Sequence, residues 1–205
     1  EYRQDFIFVL DRAEISQELI DSVNVPLILI DHHPVIERKG IKYFNPRKND
    51  ENDTRPVSYW CYQLVKNNLW IALVGIIGDY CYPKELIENF EYKELLNGHE
   101  KIEDILYDSE LGMLVRLFNF ILKGTTTQVR KNIIMLLSVK DPYEILQKKT
   151  AKGKFLFNYF EKIEKEYQKL VDKAKRNVTE DKVLLFTYPD NKLSLSASVS
   201  DKLKY

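Results

Sequence analysis

The chain has 205 residues, 44% of them hydrophobic, with 31 basic and 31 acidic side chains and a formal net charge of zero. That composition excludes a disordered chain and a polybasic protein that coats nucleic acid, so any phosphate-bearing ligand has to be held by a local patch or a metal. Cys61 and Cys81 are too few for a disulfide framework or a four-cysteine zinc site, and no signal peptide or apolar run of about 18 residues is present, so a cytoplasmic protein without membrane contact is expected.

The first 35 residues read as strand, helix, strand. Phe6 to Leu10 is an apolar run ending at Asp11, and Leu27 to Ile30 is a second ending at Asp31. Between them Glu14 to Val23 is helix-like, with Ser16 as its N-cap. Two apolar strands joined this way predict a βαβ unit in a buried parallel sheet. Ligands bind such sheets at the carboxyl ends of the strands, so Asp11 and Asp31 fall on one rim.

Residues 40–55 read as a polar loop with Asn45-Pro46 as its turn signal. A helix is expected next, with Thr54 near its cap and Pro56 in its first turn, followed by Leu69 to Gly78, where helical spacing is favoured over a buried strand. After Asp79 the pattern is helical for about a hundred residues. One stripe runs from Leu111 to Leu122 and stops at Gly124, a second helix spans Gln128 to Ser138, and the longest carries Leu156, Phe160, Ile163, Tyr167, Leu170 and Ala174 on one face. Val183 to Tyr188 and Leu193 to Val199 read as two strands around a turn at 189–192. The chain opens on Glu1 and closes inside that strand-like pattern, as a piece of a longer protein would.

The residues that carry chemistry are Asp11, the run Asp31-His32-His33-Pro34, and Asp79 at the end of Gly75-Ile76-Ile77-Gly78-Asp79. Singly, each has a bland reading: a cap or loop residue, a surface histidine pair, a helix end meeting water. Together they bring carboxylates and imidazoles to the rim of a parallel sheet, a ligand set suited to Mn²⁺ or Mg²⁺. Arg47 and Lys48 could touch phosphate or simply be solvated. Ser58 could bind a ligand or cap its helix, and Tyr80 could stack on a base. His99 reads as a surface histidine.

This ordered set resembles the DHH phosphoesterase superfamily, and in detail its archaeal RecJ-like branch. The resemblance is carried by DHHP at Asp31 to Pro34, NPR at Asn45 to Arg47 and PVSYWCYQLV at Pro56 to Val65. It continues through VGIIGDY at Val74 to Tyr80, FILKG at Phe120 to Gly124 and DPYEIL at Asp141 to Leu146. The final segment is similar to the opening of the associated substrate-binding domain, DHHA1. The fold so implied is α/β: a DHH domain with a parallel sheet flanked by helices over residues 1–104, a helical segment and connector over 105–180, and the start of a second α/β domain, DHHA1, over 181–205.

The resemblance implies two-metal phosphodiester hydrolysis, usually with Mn²⁺. Asp11 matches the carboxylate bridging both ions, while His32 and Asp79 match ligands of the second. Asp31 matches the signature aspartate, as ligand or support, and His33 the histidine facing the scissile phosphate. Apart from the resemblance, Arg47, Ser58 and Tyr80 stand as candidate substrate contacts. The implied activity is a single-strand-specific exonuclease acting on DNA or RNA. Two alternatives stand beside it: a non-catalytic replisome component that binds a GINS-type partner or self-associates, and a phosphodiesterase of oligoribonucleotides or cyclic dinucleotides. The family's first motif, an Asp-x-Asp on an earlier strand, has no counterpart here, nor does the late glycine-rich motif of DHHA1. The first of these absences removes ligands mainly from the first metal, and both are expected to reflect truncation or completion by another chain.

Overall fold

The structure, a computed structural model, describes residues 4–177, 184–188 and 193–204. The chain divides into two compact units, Glu1–Phe90 and Glu91–Tyr205.

The first unit is built on three parallel strands in the order β1 (Ile7–Leu10), β2 (Leu27–Ile30) and β3 (Lys42–Phe44). Ile7 pairs with Leu27 and Leu10 with Ile30, while Ile28 pairs with Lys42. The β1–β2 connection carries α1 (Gln17–Ser22), whose N-cap Ser16 accepts from the Leu19 amide at 3.2 Å, as its sequence position predicts. Side-chain alternation then divides the strands. Leu27 and Leu29 of β2, with Ile7 and Val9 of β1, pack against Ile15 and Ile20. Phe6, Phe8 and Leu10 lie on the opposite side of β1 and stay about half exposed.

β3 is a correction to the sequence reading, which places a polar loop across residues 40–55. Its three residues alternate exposed, half-buried, exposed, so only Tyr43 contributes an inward apolar group, too little for a hydrophobic pattern to register. After a 3₁₀ turn at Pro46–Lys48 come α2 (Val57–Val65) and α3 (Leu69–Gly78). Pro56 itself, not Thr54, occupies the N-cap of α2, and no side chain caps this helix. α3 settles the ambiguous LWIALVGII segment as helix, with Trp70, Leu73, Val74, Ile76 and Ile77 all buried. Gly75 lets α3 close on α2, because a Cβ there would lie 2.8 Å from that of Ser58. A short helix α4 (Lys84–Ile87) ends the unit.

The second unit is helical among its described residues: a 3₁₀ turn at Lys93–Leu96, then α5 (Ile102–Asp108), α6 (Glu110–Ile121), α7 (Thr126–Leu137), α8 (Tyr143–Leu146), α9 (Ala151–Lys175) and α10 (Ser196–Leu203). The apolar stripes of α6 and α9 meet as their spacing requires: Phe120 stacks on Phe160, ring centroids 5.9 Å apart, and contacts Tyr167 edge-on at 5.4 Å. Glu144 is buried yet satisfied by the Lys140 amide, the Thr150 hydroxyl and the Lys152 ammonium. Thr150 in turn caps α9. α7 is less committed to the core, since only Asn132 is buried while Ile133, Ile134 and Leu137 are exposed.

α10 overturns the second of the two C-terminal strands. The segment Leu193 to Val199 alternates, but the buried positions are Leu195 and Val199, four residues apart. That separation is a multiple of the strand period and also one turn of helix, so alternation could not tell the two apart. Residues 184–188 form no strand, while Val183 and the turn at 189–192 lie outside the described residues. Among the described residues no helix is long and apolar enough to cross a membrane.

Gly153 sits so close to the Glu144 carbonyl that an added Cβ would collide with backbone. Gly153→Ala is therefore expected to destabilise the chain by about 1–3 kcal/mol, the usual cost of overpacking a tight contact. Urea denaturation reads the effect, and an unchanged midpoint would show that α8 and α9 do not approach this closely.

Candidate metal centre

Both strand-end aspartates extend the sheet's own hydrogen-bond ladder. The Asp11 amide donates to the Ile30 carbonyl at 2.9 Å, and the Asp31 amide to the Phe44 carbonyl at 3.1 Å. The sheet thus delivers both residues to its carboxyl rim, as the rule for parallel sheets predicts. There the two part. Asp11 turns into the left-handed region (φ 56°), a conformation aspartate tolerates, and its side chain is half exposed. Asp31 is fully buried.

Asp31 organises the turn that carries the histidines. Its carboxylate accepts from the His33 amide at 3.1 Å and faces His33 Nδ1 at 2.8 Å, with Asn45 Nδ2 at 3.5 Å. Asn45, itself buried, donates to the His33 carbonyl and to the Tyr43 hydroxyl, and accepts from the Arg47 amide. With Nδ1 turned to a carboxylate, His33 presents Nε2 as its remaining polar atom.

His32 is held differently. Its Nδ1 lies 3.1 Å from the Thr54 carbonyl. A carbonyl can only accept, so Nδ1 carries the proton and the neutral ring offers a lone pair at Nε2. That atom stands 3.4 Å from Asp11 Oδ1 and 3.8 Å from Asp79 Oδ2. Ligand atoms about 2.1 Å from one octahedral cation lie about 3 Å apart when adjacent and about 4.2 Å apart when opposite, and both separations fall in that interval. Asp11, His32 and His33 each offer an atom within 4.8 Å of the others. Two carboxylates and an imidazole whose free nitrogen is fixed by its other hydrogen bond fit a hard or borderline divalent cation.

Asp79 reaches the site as the C-cap of the buried helix α3. Burial pushes its pKa above the usual carboxylate range; the two histidines oppose that shift and the Asp11 carboxylate adds to it. Of the other residues that the sequence singles out, Arg47 lies in the 3₁₀ turn after β3, with its amide on Asn45 and a buried Nε that has no hydrogen-bond partner among the described residues. Ser58 sits in the first turn of α2 against Gly75, and it is not the cap. Tyr80 follows Asp79 in the left-handed region and is exposed. Lys48 is engaged by Glu37 at 3.0 Å and by the Tyr43 ring. The sequence does not point to the supporting groups Thr54, Asn45 and Tyr43; Asn45-Pro46-Arg47 marks the place but reads as a turn.

Carboxylates and imidazoles gather at the carboxyl rim of a parallel sheet, in an α/β chain whose fold is like that of RecJ. Among solved structures the chain is similar to RecJ of Thermus thermophilus, determined in complex with Mn²⁺, with a TM-score of 0.54 and 14% sequence identity. The superposition covers 85% of this chain and 30% of that one, so the chain spans less than a third of that RecJ. No protein-family model matches the sequence, and no curated protein matches it.

A raised Asp79 pKa means that the folded chain holds this proton more tightly than the unfolded chain. Stability from the group is complete below the unfolded pKa and is lost as pH rises through the folded one. Asp79→Asn should therefore melt, without added metal at about neutral pH, at or above the parent's temperature, with a flatter dependence on pH above the unfolded carboxylate value. Any upward shift that Mn²⁺ gives the parent should be lost in this variant. A variant that melts below the parent under these conditions would show the ionised carboxylate to be stabilising in its own right.

Proposed function

We propose that the chain is the metal-binding part of a DHH-type phosphoesterase that hydrolyses phosphodiesters of single-stranded DNA or RNA, with Mn²⁺ as its working ion. The observation that carries this reading is the aim of His32 Nε2 between Asp11 and Asp79, with its other nitrogen tied to Thr54. In the proposed roles, Asp11, His32 and Asp79 hold a cation, and Asp31 supports His33. A divalent ion held there supplies Lewis acidity toward a phosphoryl oxygen and activates water. His33, whose Nδ1–H is held by Asp31, would pass a proton from Nε2 to the leaving oxygen when its ring is the imidazolium, protonated at both nitrogens. In the same reading Arg47 would meet a phosphate and Tyr80 a base. A second ion would share Asp11 and needs ligands from an Asp-x-Asp motif that this sequence does not contain. Assignment to the archaeal RecJ-like branch rests on the quoted sequence motifs.

A second reading, a partner-binding component without hydrolytic activity, draws on the exposed Ile133, Ile134 and Leu137 of α7, an apolar stripe that a GINS-type protein or a second copy could cover. Hydrolysis separates the two. The full product of the gene is expected to cleave labelled single strands with Mn²⁺ and to lose that activity on chelation.

Asp11→Asn should abolish cleavage with the fold intact by circular dichroism, and near-normal turnover would remove Asp11 from the site. His32→Ala should weaken Mn²⁺ binding strongly, whereas His33→Ala should spare binding and lower turnover by about 10²–10⁴-fold. Metal titration beside a nuclease assay reads both. The reverse pattern would exchange the two roles, and no change in either would end the phosphoesterase reading.

A further inference from the structure

Asp53, Thr54 and Arg55 form a compact polar knot ahead of α2. The Asp53 carboxylate accepts from the Arg55 amide at 3.1 Å and from its Nε at 2.9 Å, and Arg55 Nη2 reaches the other oxygen at 2.5 Å. The guanidinium lies over the rings of Trp60 at 4.5 Å and Tyr59 at 4.8 Å, and gives Nη1 to the Tyr59 hydroxyl at 3.2 Å. Tyr59 is buried, so the knot is anchored to the first turn of α2. Thr54, itself exposed, lies in sequence between the two clamped residues, and its carbonyl is the one that accepts from His32 Nδ1.

We propose that Arg55 is a positioning residue for His32: its fork on Asp53 and its stacking on Tyr59 and Trp60 fix the Thr54 carbonyl that selects the His32 tautomer and aims Nε2. The proposal rests on the reading of Asp11, His32 and Asp79 as a cation centre. Arg55 reaches the site through Thr54, and because the accepting atom is backbone, no change of the Thr54 side chain removes it. Arg55 is the side chain through which the bond can be loosened. Its planar fork makes two bonds to one carboxylate while stacking on aromatic faces, which an ammonium cannot reproduce. A partner that orients a metal-binding histidine in this way commonly changes metal affinity by about 10–100-fold when it is lost.

The test compares the parent with Arg55→Gln, Arg55→Lys and Asp53→Asn. The first readout is the pair of His32 ring ¹⁵N shifts in metal-free protein, which report the tautomer. The second is Mn²⁺ affinity, followed by the loss of the free-ion EPR signal. The parent should show one tautomer, protonated at Nδ1. Arg55→Gln should show a mixture and bind Mn²⁺ about 10–100-fold more weakly, with Arg55→Lys between the two. Should Arg55→Gln fail to fold, Arg55→Lys and Asp53→Asn carry the same comparison. A parent-like tautomer with affinity within about twofold in the folded variants overturns the proposal. A parent that binds no Mn²⁺ instead ends the cation-centre reading, while the ring shifts still decide whether Arg55 governs His32.

Discussion

The rim of the sheet depends on one buried carboxylate. Asp31 has no solvent exposure, and removing such a group from water costs several kcal/mol unless its oxygens are fully occupied. The chain meets that demand with the amide and ring of His33, two residues on, and with the side-chain amide of Asn45, fourteen residues on. Each of these bonds also fixes something else. The His33 ring gains its direction, and Asn45 joins the end of β3 to the histidine turn. The three-residue strand β3, weak by length, is thereby tied to the most constrained point of the unit.

Two adjacent histidines end up in different circumstances for the same reason. Their rings meet edge-on, with centroids 4.7 Å apart, yet each takes a brace of its own. His33 takes the buried carboxylate, while His32 turns to a backbone carbonyl brought in by the next loop. A carboxylate and a carbonyl both accept, so each ring is protonated at Nδ1 and exposes Nε2. What differs is the company that each Nε2 keeps: that of His32 faces Asp11 and Asp79. Under the proposed function, the division of labour between the pair follows from placement, without any difference in residue type.

Much of this was legible in the sequence where a pattern had only one physical solution. The apolar runs ending at Asp11 and Asp31, the Ser16 cap and the stripes of α6 and α9 all took the form their spacing required. So did the placing of Asp11 and Asp31 on one rim, because the carboxyl ends of parallel strands share it, whereas Asp79 arrives from the C-cap of α3. The failures have equally specific causes. β3 buries too little to show a pattern, and Leu195 and Val199 satisfy strand and helix alike. The Thr54 carbonyl was out of reach in principle, since any residue could supply it and only the folded loop says which one does. Asn45 was visible but read as a turn former, a role it also fills.

The left-handed backbone at Asp11 has a consequence for comparing relatives of this chain. A φ of 56° admits glycine, asparagine and aspartate with little strain and penalises branched or bulky residues. Under the proposed function, position 11 is subject to two separate selections, one for a carboxylate and one for a backbone angle. If a lineage abandoned hydrolysis, the first would lapse and the second would persist. Asparagine or glycine would then accumulate there sooner than alanine or valine. An aspartate kept among many distant sequences would speak for retained chemistry, whereas a drift among only those small residues would record geometry alone.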